Sequence, residues 1–255
     1  MPTKPRPDAA SKKSSIETIL RSLEREAFVP DLTRIATYED GVDDDDGIAL
    51  GEDDATRSKL GGAPYLSATV AHPLCGRCKA PMQLAVQLLR RDLPEPWQAS
   101  VADDLLQAFW CRECHGNNED AFSKGTLVRE VSMAEPCTTR IVPGDEETWS
   151  IVSFLRGWQP QPDFPSSLED ELRFMKVGAA IRNAILESPP DGEVLDGVKL
   201  STWRRWTSAP AVFKCKCRLP MSWWLHLGEL GPTIGDGRTL GVLSCTCGLK
   251  ALQAD

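Results

Sequence analysis

The sequence contains no run of eighteen apolar residues, the least that a membrane-spanning helix needs. The N-terminal segment MPTKPRPDAASKKSS is basic, but no apolar stretch follows it that could serve as a secretory signal. Positive charge is also scarce, since 29 Lys and Arg face 37 Asp and Glu, for a net charge of −8. A nucleic-acid binder needs a basic surface to neutralise phosphates. We therefore expect a cytoplasmic protein without membrane or nucleic-acid contacts, whose charge favours a basic protein partner.

The common sequence motifs of enzymes are absent as well. The chain has no Gly-rich phosphate loop, no Gly-x-Ser-x-Gly and no His-Glu-x-x-His. The segment IGDGRTLG shares only its glycines with a phosphate loop, and we interpret it as a hairpin that turns at Asp236-Gly237. These absences favour a protein that is not an enzyme, with a thiol-based redox protein or enzyme as an alternative.

Cysteine, in contrast, is abundant. Eight of the nine cysteines form close pairs, at Cys75/Cys78, Cys111/Cys114, Cys215/Cys217 and Cys245/Cys247. A reducing compartment disfavours disulfides in a chain of this length. A close pair supplies two thiolates from one tight turn, and structural zinc takes four ligands. The spacing therefore predicts two zinc ions in closed sites, and it leaves open whether pairs combine within each half of the chain or between halves.

Other chemistries fit parts of this pattern. Residues 111–115 spell Cys-x-x-Cys-His, the attachment site of a c-type haem, but haem would leave the other three pairs unexplained. A thioredoxin-like dithiol lacks the surrounding βαβ pattern. Iron, or Cu(I) at the Cys-x-Cys pairs, remains an alternative to zinc. We interpret His115 as a neighbour of the site, His72 as a loop residue, His226 as a strand residue and the unpaired Cys137 as an ordinary thiol.

The cysteine pairs belong to a pattern that occurs twice. Each half reads Lys-Leu, loop, cysteine pair, Pro-Met, strand, excursion, strand and cysteine pair. The matching landmarks are Lys59-Leu60 and Lys199-Leu200, Pro81-Met82 and Pro220-Met221, Gln87-Leu88 and His226-Leu227, and Leu106 and Leu240. The pattern predicts an internal duplication in which antiparallel strands bring four sulfurs together.

Hydrophobic periodicity predicts a β-rich α+β fold with duplicated sheet units, an N-terminal helix and a central helix. Capping boxes at Ser14-x-x-Glu17 and Ser166-x-x-Glu169 begin the helices, the first of which ends before Pro30 and the second at Pro189-Pro190. QLAVQLL, LLQAFW, SWWLHL and TLGVLSC predict strands, and GWQPQPDFP is extended. We expect YEDGVDDDDGIALGEDD to be a solvated loop, with a calcium site or a contact to a basic partner as alternatives.

These elements predict one compact domain with five successive parts. The parts are a disordered tail at 1–14, a helix and acidic loop at 15–57, a first cysteine-containing β unit at 58–140, a linker and central helix at 141–197, and a second cysteine-containing β unit at 198–255.

Several segments together resemble the YwqG-like family of uncharacterised bacterial domains. They are SKLGGAPYL, CGRCKAPMQLAVQL, LLQAFWC, GWQPQPDFP and GDGRTLGVLSCTCG, and the resemblance covers about residues 50–250. The same segments are similar to the eukaryotic programmed cell death protein 2 family, which is associated with chaperoning a newly made ribosomal protein. The resemblance implies a duplicated β-rich fold without an established enzymatic activity.

The sequence thus predicts a non-enzymatic, zinc-stabilised protein-binding module, a chaperone-like holder of a basic client. Toxin immunity is the alternative, because the YwqG-like family is associated with toxin gene clusters in some bacteria. A redox protein or enzyme that uses the thiols is the second alternative.

Overall fold

The computed structural model describes residues 9–36, 49–117, 122–139, 151–165, 167–187, 197–201, 203, 213–228 and 240–254. Its α-helices are α1 (Ala9–Leu23), α2 (Glu95–Gln98), α3 (Leu168–Phe174) and α4 (Ala179–Glu187). Its strands are β1 (Arg25–Ala36), β2 (Ala49–Leu50), β3 (Lys59–Leu60), β4 (Gln83–Leu89), β5 (Leu105–Trp110), β6 (Thr126–Val131), β7 (Ile151–Asp163), β8 (Lys199–Leu200), β9 (Ser222–His226), β10 (Leu240–Ser244) and β11 (Lys250–Ala254). None of the helices in this part of the chain has the length and apolar character needed to span a bilayer.

The described strands form one sheet in the order β11-β10-β9-β8-β1-β7-β3-β4-β5-β6, with β2 beside β1. The long strands β1 and β7 pair in antiparallel register from one end to the other in the middle of the sheet. The sheet curls until its end strands β6 and β11 lie close together, where Lys250 donates a hydrogen bond to the carboxylate of Glu130. The predicted β-rich α+β class is confirmed, and the four predicted strand segments coincide with β4, β5, β9 and β10.

The strands on either side of the β1–β7 pair have the same connectivity. In the first half Lys59 on β3 pairs with Gln87 on β4, and in the second half Lys199 on β8 pairs with His226 on β9. In both halves the next strand, β5 or β10, then adds to the sheet in antiparallel orientation. A duplicated unit would produce these pairings, and the duplication itself stays a prediction from the sequence.

One hydrophobic cluster draws on both halves of the chain. It includes Val86, Leu88 and Leu106 from the first half, and Leu225 and Val242 from the second. Alternate side chains of each strand point to the same face, so the curled sheet encloses these residues. Fully burying a side chain of this kind stabilises a fold by about 1.5–3 kcal/mol. The shared cluster therefore ties the two halves together.

The N-terminal helix lies earlier in the chain than its capping box predicts. It begins at Ala9, so residues 9–14 are helical rather than part of a disordered tail, and it ends at Leu23. The residues from Arg25 to Val29, which were predicted to be helical, belong to the 12-residue strand β1. Continuous pairing with β7 outweighs the local helical pattern, because tertiary context overrides weak intrinsic propensities.

The central helix is divided into α3 and α4, and its cap is Ser167 rather than Ser166. The side chain of Ser167 accepts a hydrogen bond from a backbone N–H in the first turn of α3. Lys176 has a left-handed φ of 57°, and the N–H of Val177 donates to the carbonyl of Leu172. This hydrogen bond is typical of the Schellman motif that terminates helices. The apolar periodicity continues through the break, which explains why the sequence predicts one helix.

The acidic stretch is only partly described, since residues 38–48 lie outside the described ranges, as does the hairpin predicted at Asp236-Gly237. At the end of the stretch, the carboxylate of Asp53 is buried and forms an ion pair with Lys59. It also accepts a hydrogen bond from the N–H of Ala63. The predicted solvated loop is therefore wrong at Asp53, because a buried lysine needs a counter-charge.

Candidate metal centres

The eight paired cysteines form two groups of four. The first group is Cys75, Cys78, Cys111 and Cys114, and the second is Cys215, Cys217, Cys245 and Cys247. The sulfur atoms of each group all lie within 4.8 Å of one another. The pairs therefore combine within each half, which is one of the two arrangements that the sequence left open.

Strand geometry explains this pairing. In each half the first pair precedes a strand, β4 or β9, and the second pair directly follows its antiparallel neighbour, β5 or β10. Gln83 at the start of β4 lies opposite Trp110 at the end of β5, and Ser222 lies opposite Ser244 in the same way. Antiparallel neighbours place the start of one strand beside the end of the next. The two turns of each half consequently meet at one edge.

The sulfur–sulfur distances fit a tetrahedral metal site. Cys78 and Cys111 are 3.4 Å apart, and Cys75 and Cys114 are 3.9 Å apart. In the second group, Cys215 lies 3.5 Å from Cys247, and Cys217 lies 3.5 Å from Cys245. Tetrahedral Zn–S bonds of about 2.3 Å place sulfurs about 3.8 Å apart, whereas a disulfide is close to 2.05 Å. Both groups thus fit one tetrahedral ion held by four thiolates.

Three of the cysteine turns share one backbone conformation. The N–H groups of Cys75, Cys215 and Cys245 donate to the carbonyls of Ala80, Leu219 and Leu249 respectively, each at 2.9 Å. The residues that follow the second cysteines, Lys79, Arg218 and Gly248, have left-handed φ angles of 66°, 72° and 90°. Glycine adopts this conformation freely, whereas a side chain makes it costlier by roughly 1–2 kcal/mol. Lys79 and Arg218 adopt this costly conformation where the chain turns to present both thiols of a pair to the cluster.

Gly76 is required by a close approach of the chain rather than by a left-handed φ. A Cβ atom at this position would lie 3.0 Å from the Cβ and 3.2 Å from the carbonyl oxygen of Lys124. The N–H of Gly76 donates to this carbonyl at 2.9 Å, and the Sγ of Cys75 lies 3.7 Å from it. Lys124 therefore packs directly against the first group.

The thiols of the first group differ in acidity. Burial opposes ionisation of Cys75, but N–H donors of Cys78 and Arg77, with neighbouring thiols, outweigh burial and lower the pKa to about 6. Burial, together with Cys78 and Cys75, raises the pKa of Cys111 and of Cys114. The thiol of Cys75 is therefore more acidic than those of Cys111 and Cys114, from which a metal must displace protons.

The second group shows the same division. The N–H of Cys247 favours the thiolate of Cys245 and, with the neighbouring thiols, lowers its pKa to about 7. For Cys215, the N–H of Cys217 favours the thiolate, but burial and the neighbouring thiols outweigh it and raise the pKa to about 12. Cys245 is therefore more acidic than Cys215, as Cys75 is more acidic than Cys111 in the first group.

Exposed cations lie on or beside the cysteine turns, although the chain as a whole is acidic. They are Arg77, Lys79, Lys124, Lys214, Lys216 and Arg218. A divalent ion with four thiolates carries a net charge of −2. Nearby positive charges stabilise such a site because they favour the ionised form of the thiols.

Cys137, His72 and His226 belong to neither group of four. Cys137 packs against the apolar cluster that contains Tyr65, and His72, in a loop as predicted, contacts the carbonyl of Met82. His226 lies on β9 as predicted, and its Nε2 donates to the carbonyl of Trp203 at 2.6 Å. The backbone of His115 lies in the short 3₁₀ helix Arg112–Asn117, and its side chain is outside the described part of the structure.

Sequence reasoning missed the residues that support the sulfurs. The left-handed residues carry a weak signal, since each is followed by an apolar residue, as in Arg218-Leu219 and Gly248-Leu249. Segment Phe122–Gly125 carries no such signal, because it falls in the part of the first unit for which the repeat offers no landmark. Its role depends on contacts between residues that are distant in the chain.

The chain matches no protein-family model and no curated protein. The resemblance to the YwqG-like family accordingly stays a prediction from the sequence.

Proposed function

We propose that this protein is a non-enzymatic, zinc-stabilised module that binds a basic protein segment. The observation that carries the proposal is the arrangement of eight cysteines in two four-sulfur groups with tetrahedral spacing. Four thiolates complete the tetrahedral shell of zinc and leave no position for a water molecule or a substrate. Such ions hold a fold together rather than carry out a reaction, and the function then belongs to the protein surface.

Metal analysis of the purified protein tests the metal part of this proposal. We expect two zinc ions per chain, and one ion in Cys78→Ser or Cys217→Ser, because each variant disables one group. Cys137→Ser is the matched control and should retain two ions, since Cys137 lies outside both groups. A folded wild-type protein without bound metal would contradict the proposal, and a visible absorption band of the purified protein would indicate iron instead.

The acidic stretch supports the choice of a basic partner. Residues 39–46 have the sequence EDGVDDDD, with six carboxylates in eight residues and no cation among them. These six carboxylates are part of the net charge of −8 that the whole chain carries. Charge of one sign steers oppositely charged partners and raises their rate of association. A Lys- and Arg-rich protein segment has the complementary chemistry.

A fluorescent peptide with six lysines tests this partner class by anisotropy. We expect it to bind the zinc-loaded protein and to lose affinity as salt is raised, since surface charges are screened. Neutralising the six carboxylates of residues 39–46 as Asn or Gln should weaken binding at least tenfold. An equally long glutamate peptide is the control and should not bind. Equal binding of the lysine peptide to the wild type and the neutralised variant would overturn the assignment.

A further inference from the structure

A short segment of the first half connects the two cysteine groups. On one side, the carbonyl of Lys124 accepts a hydrogen bond from Gly76, between the first two cysteines. The carbonyl of Gly125 accepts a hydrogen bond from the N–H of Cys111 at 2.8 Å. The backbone of segment 122–125 is therefore hydrogen bonded to both cysteine turns of the first group.

On its other side, the same segment reaches the second group. The ring of Phe122 packs against the buried cluster that contains Cys215, Cys245 and Trp223. The ammonium group of Lys216, which stands between two cysteines of the second group, lies 5.1 Å from the centre of the Phe122 ring. The side chain of Phe122 thus forms part of the apolar support of the second group, while its backbone neighbours support the first.

We propose that segment Phe122–Gly125 couples the two sites, so that metal binding at one raises the metal affinity of the other. This inference rests on the proposed zinc sites. A metal in the first group fixes Cys75 and Cys111, and with them the backbone to which Lys124 and Gly125 are hydrogen bonded. That backbone holds Phe122 against the second group. A metal that then binds to the second group has less of the protein left to order, so it binds more tightly. Thermodynamic linkage makes the effect reciprocal.

Titration with Co²⁺ tests the coupling, because Co²⁺ in a four-thiolate site absorbs visible light and zinc does not. Cys78→Ser leaves only the second site and Cys217→Ser only the first, and both replaced cysteines are exposed. The product of the two single-site association constants is compared with the product of the two stepwise association constants of the wild type. We expect the wild-type product to be about tenfold larger, within the 5- to 150-fold range of typical couplings.

Phe122→Ala should reduce this factor to nearly one while both sites still fill. The matched control is Phe213→Ala, because Phe213 packs against the same second cluster but belongs to the second half. We expect the control to keep the coupling factor even where it weakens the second site. If either cysteine variant fails to fold, the ratio of stepwise affinities in Phe122→Ala is compared with that in Phe213→Ala, because each substitution removes an apolar contact of the second group and neither alters a ligand.

The outcomes separate this inference from the proposed function. Two four-thiolate Co²⁺ sites that fill independently in the wild type would overturn the coupling and leave the zinc sites in place. An equal loss of coupling in Phe122→Ala and Phe213→Ala would overturn the role of the segment. Absence of any four-thiolate Co²⁺ spectrum would refute the sites themselves.

Discussion

Cys111→Ser and Cys245→Ser should each lower the midpoint of thermal unfolding by more than about 10 °C, whereas Cys137→Ser should lower it by only a few degrees. Metal-binding energy in structural sites is folding energy, with apparent values of about 10–16 kcal/mol for zinc-finger peptides. This equals or exceeds the total stability of many domains, about 5–15 kcal/mol. Cys111 and Cys245 are buried members of their groups, so a serine at either position removes a buried ligand from the metal site.

Chelation provides an independent form of the same experiment. A strong chelator should lower the midpoint of thermal unfolding of the wild type by at least as much as either serine variant at a cysteine group, because it empties both groups. Restoring zinc should restore the midpoint. Equal destabilisation by the three serine variants, or a midpoint that chelation leaves unchanged, would show that the thiols do not hold a structural metal.

Asp53→Ala should destabilise the protein by roughly 3–5 kcal/mol, the usual cost of leaving a buried charge without its partner. The ammonium group of Lys59 pairs with the Asp53 carboxylate, and their side chains are 0% and 4% exposed. Burial lowers the pKa of Lys59, although Asp53 favours its charged form. Without Asp53, the folded protein must hold an uncompensated cation or release its proton. Equilibrium urea unfolding measures the loss.

Two comparisons distinguish the cost of an unpaired buried charge from the cost of the cavity that the Asp53→Ala substitution leaves. The double variant Asp53→Ala/Lys59→Met should recover much of the loss, because it removes both charges. Glu169→Gln is the exposed control, since Glu169 and Arg173 pair on the surface of α3 with half or more of each side chain exposed. It should cost about 0.5 kcal/mol or less. A similar cost for Glu169→Gln and Asp53→Ala would contradict the buried-charge explanation.

The destabilisation by Asp53→Ala should also depend on pH. In this variant the pKa of Lys59 in the folded state falls further, because burial then acts without the opposing carboxylate. The unfolded chain keeps the ordinary lysine pKa and binds more protons at alkaline pH, so stability rises with pH there. The deficit relative to the wild type should therefore shrink between pH 8 and pH 10. A deficit that is constant over this range would show that Lys59 keeps its proton in the folded variant as it does in the wild type, and would argue against a further lowered pKa.

The candidate sites were predictable to a large extent from the sequence. The spacing of Cys75, Cys78, Cys111 and Cys114 identifies one set of ligands, and the apolar runs beside them predict β4 and β5. Both features are local, because a cysteine turn and a strand of six or seven residues each depend on a few neighbouring residues. The second half is predictable for the same reason. The metal that occupies these sites stays a prediction.

The errors occur where tertiary contacts outweigh local preference. Residues 25–29 were predicted to continue the N-terminal helix, but their pairing with β7 makes them a strand. Asp53 has the sequence context of a solvated acidic loop, but its ion pair with Lys59 places its carboxylate in the interior. The partner strand of β1 lies more than a hundred positions away. Lys59 is only six residues from Asp53, but its burial follows from the pairing of β3 with β4 and β7.

The sequence by itself determined the chemistry of this protein: eight thiols in four close pairs, strands beside them and a net negative charge. Those properties belong to residue types and short spacings, which are fixed before the chain folds. Only the tertiary structure decided which pairs share a group, that Lys59 and Asp53 are buried together, and that Phe122 links the two groups. These features arise from the antiparallel register and curl of the sheet, which decide which side chains meet and which are buried.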